Sequence, residues 1–163
     1  MNGADLADGV AETLIVPSFT RIGYDLRNSL DGWTSLDEYD LAGRTIVLTG
    51  GTSGLGRAAA HRFAAAGATL LIVGRTADRN ETIVSELQEA SGNDSVSQFP
   101  ADMGDLDDVR SLAAHTLASF DRVDVLIHNA GALTPDRRTT PGGLEATVAS
   151  QVVGPFLLTT LLL

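Results

Sequence analysis

One short segment of the sequence, Thr49-Gly-Gly-Thr-Ser-Gly-Leu-Gly56, has the residue types that bind a phosphate group. Its glycines let the backbone turn tightly and approach a pyrophosphate. A helix that begins there directs free N–H groups and a positive dipole end at the anion. The P-loop alternative is excluded because it requires a lysine, and all 11 basic residues of this chain are arginine. The predicted phosphate-binding residues are Gly50, Thr52, Ser53, Gly54, Leu55 and Gly56.

The segment Val73-Gly-Arg-Thr76 indicates which dinucleotide would bind at this turn. Dinucleotide sites commonly place a carboxylate after the second strand to bind a ribose 2′-hydroxyl, whereas an arginine accommodates a 2′-phosphate. Here Arg75 stands at that place, Thr76 can support it, and Arg79 follows one helical turn later. We therefore expect NADP rather than NAD, and a solvated surface role for Arg75 is the alternative.

Two further segments carry polar groups at the ends of predicted strands. Asp102, followed by Met103, can accept a hydrogen bond from an adenine amino group or cap the next helix, and these roles are compatible. Asn129 can tie neighbouring strands together, while Ala130 and Gly131 form a flat patch against which a cofactor can lie. All five residues are predicted to contact the cofactor.

The three histidines and the absence of cysteine limit the other chemistries. His61 and His115 lie in helical patterns, and His128 is more typical of packing against a neighbouring strand than of catalysis. The three have no metal-ligand spacing, so no metal site is predicted. Without cysteine there is no disulfide, thiolate nucleophile or cysteine-based zinc site, and the chain fits a cytoplasmic setting.

Strand and helix patterns alternate four times after Gly43. Short β-branched apolar runs predict buried strands, and Ala-rich or amphipathic stretches predict helices between them. The predicted strands are Arg44–Thr49, Thr69–Val73, Ser95–Phe99 and Val123–Ile127. The predicted helices are Leu55–Ala66, Asp78–Ala90, 105–119 and Gly143–Leu163. The alternation predicts an α/β fold, an incomplete doubly wound parallel sheet of the Rossmann type with right-handed crossovers.

Residues 1–41 differ from the predicted Rossmann domain, residues 42–163, and are predicted to form an N-terminal arm. Residues 1–17 show weak periodicity and are expected to be mobile. After Ser18, a good helix N-cap, apolar residues recur every three or four positions, at Phe19, Ile22, Leu26, Leu30 and Trp33. This pattern predicts an amphipathic helix packed on its own domain. A helix that contacts a membrane surface or a partner is the alternative, although such a helix normally carries more basic charge.

The overall charge narrows the choice of partners. The 163 residues contain 21 acidic and 11 basic side chains, and the formal charge of −10 argues against nucleic acid or an anionic membrane as the main partner. The N-terminus shows no signal-peptide pattern. The longest apolar stretch, Pro155–Leu163, is far shorter than the ~20 residues needed to cross a bilayer, so no transmembrane segment is expected.

The glycine-rich segment, Asp102 and Asn129-Ala130-Gly131, in this order and at these separations, resemble the short-chain dehydrogenase/reductase family over about residues 43–163. Gly74-Arg75 resembles the NADP-preferring members of that family. The segments Gly-Gly-Leu-Glu at 142–145 and Gly-Pro-Phe-Leu-Leu at 154–158, with the arm 18–40, are similar to one branch of it. That branch contains retinol dehydrogenase-like enzymes and member 12 of the dehydrogenase/reductase group.

The resemblance implies an NADP-dependent oxidoreductase that transfers a hydride between nicotinamide and a small or lipophilic alcohol, aldehyde or ketone. In the family, the tyrosine of a Tyr-x-x-x-Lys motif acts as general acid/base and a serine polarises the substrate oxygen. This chain has no lysine, and its two tyrosines, Tyr24 and Tyr39, precede the first strand. We therefore expect the catalytic residues beyond Leu163 and expect the chain alone to be an inactive, cofactor-binding fragment. A homo-oligomer is compatible with the family.

Position 151 departs from the family pattern. Many members carry an asparagine in an Asn-x-x-Gly context of the long helix, where it supports a proton-relay water, and this chain has Gln151 followed by Gly154. The longer side chain favours one alternative, a degenerate half-enzyme or non-catalytic nucleotide-binding module. Another Rossmann-type protein, such as an epimerase-like or methyl-transfer domain, is the third interpretation. It is disfavoured because methyl transfer calls for an acidic residue where Arg75 stands.

Overall fold

Four parallel strands form a single sheet in the computed structural model, which describes residues 20–35, 38–132 and 136–163. The strands are β1 (Thr45–Thr49), β2 (Thr69–Gly74), β3 (Val96–Pro100) and β4 (Val125–His128). Their order across the sheet is β3-β2-β1-β4. The chain moves outward from β1 through β2 to β3 and then returns to place β4 on the other side of β1. In open α/β sheets such a reversal leaves a crevice at the carboxyl ends of the strands, where ligands bind.

Three helices connect successive strands, and together with the last helix they cover both faces of the sheet. Their bounds are α1 (Arg21–Asp31), α2 (Gly54–Ala65), α3 (Ala77–Ser91), α4 (Leu106–Ser119), α5 (Ala146–Val148) and α6 (Gly154–Leu162). A π-helical turn, Ala149–Val153, joins α5 to α6 without a break. Glycines in the left-handed conformation follow two of these helices, Gly32 after α1 and Gly92 after α3, because only a residue without a Cβ adopts that conformation at little cost.

Alternate strand residues supply two separate apolar layers, as the twofold repeat of a β-strand requires. Ile46 and Leu48 of β1 face the layer made with α2 and α3. Val47, between them in sequence, faces the layer made with α4 and α6, where Leu158 is fully buried. Helices α2, α3, α4 and α6 thus each bury apolar residues against the sheet. This arrangement confirms the predicted doubly wound α/β fold.

The predicted elements all exist, and the largest difference lies at the last helix, which begins at Ala146 and not at Gly143. Residues 138–146 form a small turn instead, in which the Thr140 N–H donates to the Leu144 carbonyl at 2.8 Å. The helix starts where Glu145 accepts hydrogen bonds from the N–H groups of Thr147 and Val148. These two bonds lower the pKa of the Glu145 carboxyl, so this cap is charged at neutral pH.

The chain divides into two units, Met1–Tyr39 and Asp40–Leu163. In the first, α1 follows Thr20 and ends at Asp31, so Trp33 lies beyond the helix that the apolar pattern extended to it. The Trp33 ring still meets the Tyr24 ring edge-on, with centroids 5.5 Å apart. Ser18 and Phe19 lie outside the described residues. Among the residues that are described, no helix is long and apolar enough to cross a membrane.

Candidate nucleotide-binding cleft

A cleft of about 1000 Å³ opens at the carboxyl ends of the strands. The segments that follow β1, β2, β3 and β4 form its walls, and the beginning of the last helix closes one side. Of the residues predicted from the sequence to contact a cofactor, all except Gly54 line it: Gly50, Thr52, Ser53, Leu55, Gly56, Arg75, Asp102, Met103, Asn129, Ala130 and Gly131. Residues up to 81 positions apart therefore share one concave surface.

The glycine-rich turn is closely packed at two of its glycines. Gly50 has a positive φ of 72°, and a methyl group there would lie 2.8 Å from the Cα of Ala130. A methyl group at Gly56 would overlap the carbonyl oxygen of Gly50 and the side-chain nitrogen of Asn129. The first turn of α2 is thereby seated directly on the end of β1. Only glycine at these positions permits that approach.

The N-terminal end of α2 points into this cleft without a side-chain cap. Ser53 occupies the N-cap position in an extended conformation, yet its hydroxyl makes no capping hydrogen bond. The first N–H groups of a helix have no partner within the helix itself, and together with the helix dipole they attract anions. Ser53 and Leu55 both line the cleft beside this helix end. The geometry is that of a phosphate-binding turn.

Asn129 joins β1 to the segment that follows β4. Its side-chain nitrogen donates to the carbonyl oxygens of Thr49 and Gly50, each at 3.1 Å. In return, the Thr49 hydroxyl accepts from the N–H groups of Asn129 and Ala130 at 3.1 Å and donates to the Ile127 carbonyl at 3.2 Å. Asn129 thus ties the two strands together as expected. The Thr49 hydroxyl is a second tie that sequence reasoning did not identify.

Three arginines line the cleft. Arg75 follows directly after Gly74 at the end of β2, Arg79 lies in α3, and Arg138 belongs to the turn before the last helix. None of the three forms an ion pair within the described part of the chain. Arg138 was missed because it lies in a segment without periodicity, where an arginine has no distinguishing pattern. Two aspartates, Asp102 and Asp105, also line the cleft, so its lining has one more basic than acidic side chain in a protein whose formal charge is −10.

Asp102 lines the cleft but does not cap α4, so that part of its predicted role is wrong. The cap is Asp105, which accepts from the N–H groups of Asp107 at 2.9 Å and Asp108 at 3.5 Å. Asp102 instead accepts from the Gly104 N–H at 2.8 Å in a tight turn. The helix begins three residues later than an Asp102 cap requires, which leaves one carboxylate oxygen of Asp102 free for the cleft.

The turn before the last helix and the start of that helix contribute cleft residues that the sequence did not reveal: Thr140, Pro141, Ala146, Thr147 and Ser150. Close packing brings them there, since a methyl group at Gly154 would overlap the carbonyl oxygen of Met103. Gln151, in the π-helical turn, donates from its side-chain nitrogen to the Ala132 carbonyl at 2.8 Å. Interruptions of this kind in helices are frequent at functional sites.

His128 is not among the residues that line the cleft. Its Nε2 lies 2.9 Å from the hydroxyl of Thr159 in α6, and burial lowers the pKa of its imidazole. His128 also pairs with Thr49 of the neighbouring strand β1, in agreement with the expectation from sequence, and its ring makes an additional contact with helix α6. Within the described residues, no three His, Asp or Glu side chains come together in a way that could hold a metal ion.

The family model for short chain dehydrogenases matches residues 44–163. The chain belongs to the short-chain dehydrogenase family. Dehydrogenase/reductase SDR family member 13 of Bos taurus is 41% identical over 123 residues that cover 76% of this chain and 32% of the relative. Human retinol dehydrogenase 11 is 31% identical over 138 residues, which cover 85% of this chain and 43% of that protein. The family predicted from the sequence motifs is confirmed.

Solved structures of this family have the same fold. A protein from Escherichia coli CFT073, described as a short chain dehydrogenase and solved in complex with NADPH, is similar with a TM-score of 0.65 and 26% identity. The similarity covers 79% of this chain and 55% of that one. An E. coli oxidoreductase, yciK, has the same TM-score and identity over 80% of this chain and 55% of its own. The chain thus spans about half the length of these structures and less than half of the relatives it matches by sequence.

Proposed function

We propose that this chain is the cofactor-binding portion of an NADP-dependent oxidoreductase that converts an alcohol to a carbonyl compound or the reverse. The observation that carries the proposal is the position of Arg75, which has no ion-pair partner in the described chain and stands at the end of β2 in the same cleft as the glycine-rich turn. A dinucleotide that binds across such a cleft presents its ribose 2′ position to the end of the second strand.

The residues of the cleft fit a dinucleotide at three places. The uncapped end of α2 suits the pyrophosphate, and the absence of side chains at Gly50 and Gly56 lets that group approach the backbone. Arg75 suits a 2′-phosphate, because its guanidinium can form two parallel charge-assisted hydrogen bonds. The free oxygen of Asp102 suits an exocyclic amino group at the adenine end.

A bound nicotinamide cofactor supplies the hydride chemistry, and this chain supplies the binding and orientation. Asn129 fixes the end of β1 relative to the segment after β4, so that Ala130 and Gly131 offer a flat surface. Gln151 holds the next residue, Ala132, to the last helix. The proton-transfer residues and the substrate pocket are proposed to belong to the remainder of the enzyme, as the family resemblance implies.

Substitution of Arg75 by glutamate tests the choice of cofactor. The change replaces a favourable charge with an unfavourable one beside the 2′-phosphate. The dissociation constant for NADPH should rise about 30-fold or more, since a hydrogen bond to a charged group contributes about 1.5–3 kcal/mol. NADH lacks the 2′-phosphate, so its dissociation constant should change by less than about threefold. Titration calorimetry or nucleotide fluorescence measures both constants.

Arg110→Glu is the matched control, because it makes the same charge change on an exposed part of α4 that does not line the cleft. It should leave both dissociation constants at the wild-type values. Equal weakening of NADPH and NADH binding by Arg75→Glu would show that Arg75 does not recognise a phosphate. NAD would then be as good a proposal as NADP.

A second candidate function is nucleotide binding without catalysis. The hydrogen bond from Gln151 to Ala132 favours it, because it uses a donor of the amide that stands where many family members have the asparagine that supports a proton-relay water. The two candidates differ in one result. Stoichiometric oxidation of NADPH with an aldehyde or ketone by the complete gene product supports the enzyme, whereas tight NADPH binding with no turnover supports the binding module.

A further inference from the structure

Asn80, in the first turns of α3, is an unusual residue for its environment. Its side chain is fully buried, at 0% exposure, where the rest of α3 packs on the sheet with apolar residues such as Ile83 and Leu87. A buried amide must find hydrogen-bond partners or carry a free-energy penalty. The partners of Asn80 therefore show what holds this amide in place.

The side-chain nitrogen of Asn80 links the ends of two strands. It lies 3.1 Å from the carbonyl oxygen of Gly74 in β2, 3.2 Å from that of Phe99 in β3, and 3.3 Å from the side-chain oxygen of Gln98. The backbone N–H of Asn80 donates to the carbonyl oxygen of Thr76 at 3.1 Å. The backbone bond is the ordinary first-turn bond of α3, so the Asn80 side chain itself binds the residue immediately before Arg75.

The contact between Asn80 and Gly74 leaves no free space. A methyl group at Gly74 would overlap the side-chain oxygen of Asn80 and would lie 2.9 Å from the Cγ2 atom of Thr52. Thr52 belongs to the glycine-rich turn and lines the cleft. Asn80 and the glycine-rich turn therefore both pack closely against the face of Gly74 where a side chain would lie.

Burial of the Asn80 amide lowers the stability of the fold. The side-chain oxygen of Asn80 is buried and has no hydrogen-bond partner in the described structure. Each buried unsatisfied acceptor costs on the order of 1–3 kcal/mol. An apolar residue of similar size would avoid that cost but would leave the Gly74 carbonyl with a single donor, the Ala101 N–H at 2.9 Å. The amide is thus better suited to fix the backbone at Gly74 than to stabilise the fold.

We infer that Asn80 is a positioning residue that fixes the backbone immediately before Arg75 and so determines how well the cleft distinguishes nucleotides with and without a 2′-phosphate. The inference rests on the proposed function, in which Arg75 recognises that phosphate. Asn80 itself is not among the residues that line the cleft and acts only through Gly74. A bidentate contact from arginine depends strongly on direction, so a small displacement of residue 75 weakens it.

Substitution of Asn80 by alanine tests this role with two small probes, 2′,5′-ADP and 5′-AMP, which differ only in the 2′-phosphate. In the purified full chain, the variant should bind 2′,5′-ADP about tenfold more weakly, an effect equivalent to losing one hydrogen bond. Its affinity for 5′-AMP should change by less than about threefold. The readout is the ratio of the two dissociation constants, which a general loss of stability does not change.

Asn93→Ala is the matched control. Asn93 also donates from its side-chain nitrogen to two backbone carbonyls, those of Ala64 at 3.1 Å and Ala68 at 2.8 Å, but it lies at the opposite edge of the sheet. The variant should lower the melting temperature and leave the ratio at the wild-type value. If Asn80→Ala does not fold, the ratio is measured on Asn80→Ser, which keeps a short donor near Gly74.

The outcomes separate this inference from the proposed function. A wild-type ratio in a folded Asn80 variant, with Arg75→Glu abolishing discrimination, overturns the role of Asn80 and leaves NADP recognition intact. A wild-type protein that binds both probes equally, and that Arg75→Glu does not alter, overturns NADP recognition and with it the role given to Asn80. Loss of discrimination in both variants, but not in Asn93→Ala, supports the inference.

Discussion

The two edges of the sheet differ in whether their charged side chains form ion pairs within the protein. At the amino edge, Asp124 accepts hydrogen bonds from the guanidinium groups of Arg44 and Arg122 and from the backbone N–H of Thr45 at 2.8 Å. At the carboxyl edge, Arg75 and Arg79 have no ion-pair partner in the described chain. Charges at the first edge are neutralised by the protein itself. In the proposed function, the arginines at the second edge are available to the phosphates of a nucleotide.

Two helices that begin at the carboxyl edge show a similar contrast. Asp105 caps α4 and accepts two of its first N–H groups, whereas Ser53 makes no capping bond at α2. An uncapped helix end normally lowers stability by about 0.5–2 kcal/mol relative to a capped one. Asp105 lines the cleft as well, and Thr76 makes no capping bond at α3, so the contrast concerns α2 and α4 alone. In the proposed function the free N–H groups of α2 bind the pyrophosphate.

The largest effect on stability and nucleotide binding is expected from Gly56→Ala, which changes the packing at the carboxyl edge of the sheet. The added methyl group overlaps Gly50 and Asn129, so α2 must move away from the end of β1. We expect the free energy of unfolding to fall by about 1–3 kcal/mol, as for overpacked sites, and nucleotide binding to be lost. Chemical denaturation and calorimetric titration with NADPH measure the two quantities.

Gly142→Ala is the control for this substitution, since the nearest atom to a methyl group there is the Thr140 hydroxyl at 3.9 Å. It should bind NADPH with the wild-type affinity. A Gly56→Ala protein that is as stable as the wild type and binds NADPH equally well would show that the close approach of α2 to β1 is not needed. The carboxyl edge would then not depend on this packing for nucleotide binding.

A smaller effect is expected at the amino edge from Asp124→Asn. The backbone N–H of Thr45, followed by the guanidinium groups of Arg44 and Arg122, holds the pKa of the Asp124 carboxyl below its ordinary value of 3.8, although partial burial opposes them. The substitution should lower the melting temperature at neutral pH and leave the affinity for NADPH unchanged. Thermal denaturation and the same titration test both statements.

The destabilisation caused by Asp124→Asn should depend on pH in a definite direction. Because the folded-state pKa lies below the unfolded value, the stabilisation by Asp124 is fully present above about 3.8 and is lost as the pH falls through the folded-state pKa. The difference in melting temperature between wild type and variant should therefore shrink on acidification through this range. A difference that stays constant, or a variant with weakened NADPH binding, would contradict a purely structural role for this edge.

The sequence was sufficient to predict the parts of the fold that repeat a simple period. Buried parallel strands such as Thr69–Gly74 read as continuous apolar runs, and the glycine-rich turn stands at the junction of strand and helix. The sequence did not identify the cap of α4, because two neighbouring residues are equally good N-caps by type. Asp102 and Asp105 are both good caps, and only the path of the backbone after β3 selects Asp105.

The remaining part of the cleft could not be predicted because tertiary packing forms it. Arg138 and Thr147 reach the cleft because Gly154 lets the last helix approach the carbonyl of Met103. No local pattern encodes that contact. The role inferred for Asn80 has the same origin, since an asparagine in a helix signals nothing until its buried bonds to β2 and β3 are seen.

A crystal structure of the protein with NADPH tests the central claim most directly. The account predicts the pyrophosphate at the N-terminal end of α2, beside Gly50 and Gly56, and the 2′-phosphate within hydrogen-bonding distance, about 2.7–2.9 Å, of the Arg75 guanidinium. Nucleotide bound elsewhere, or bound in the cleft with its 2′-phosphate in solvent and Arg75 unengaged, would contradict it.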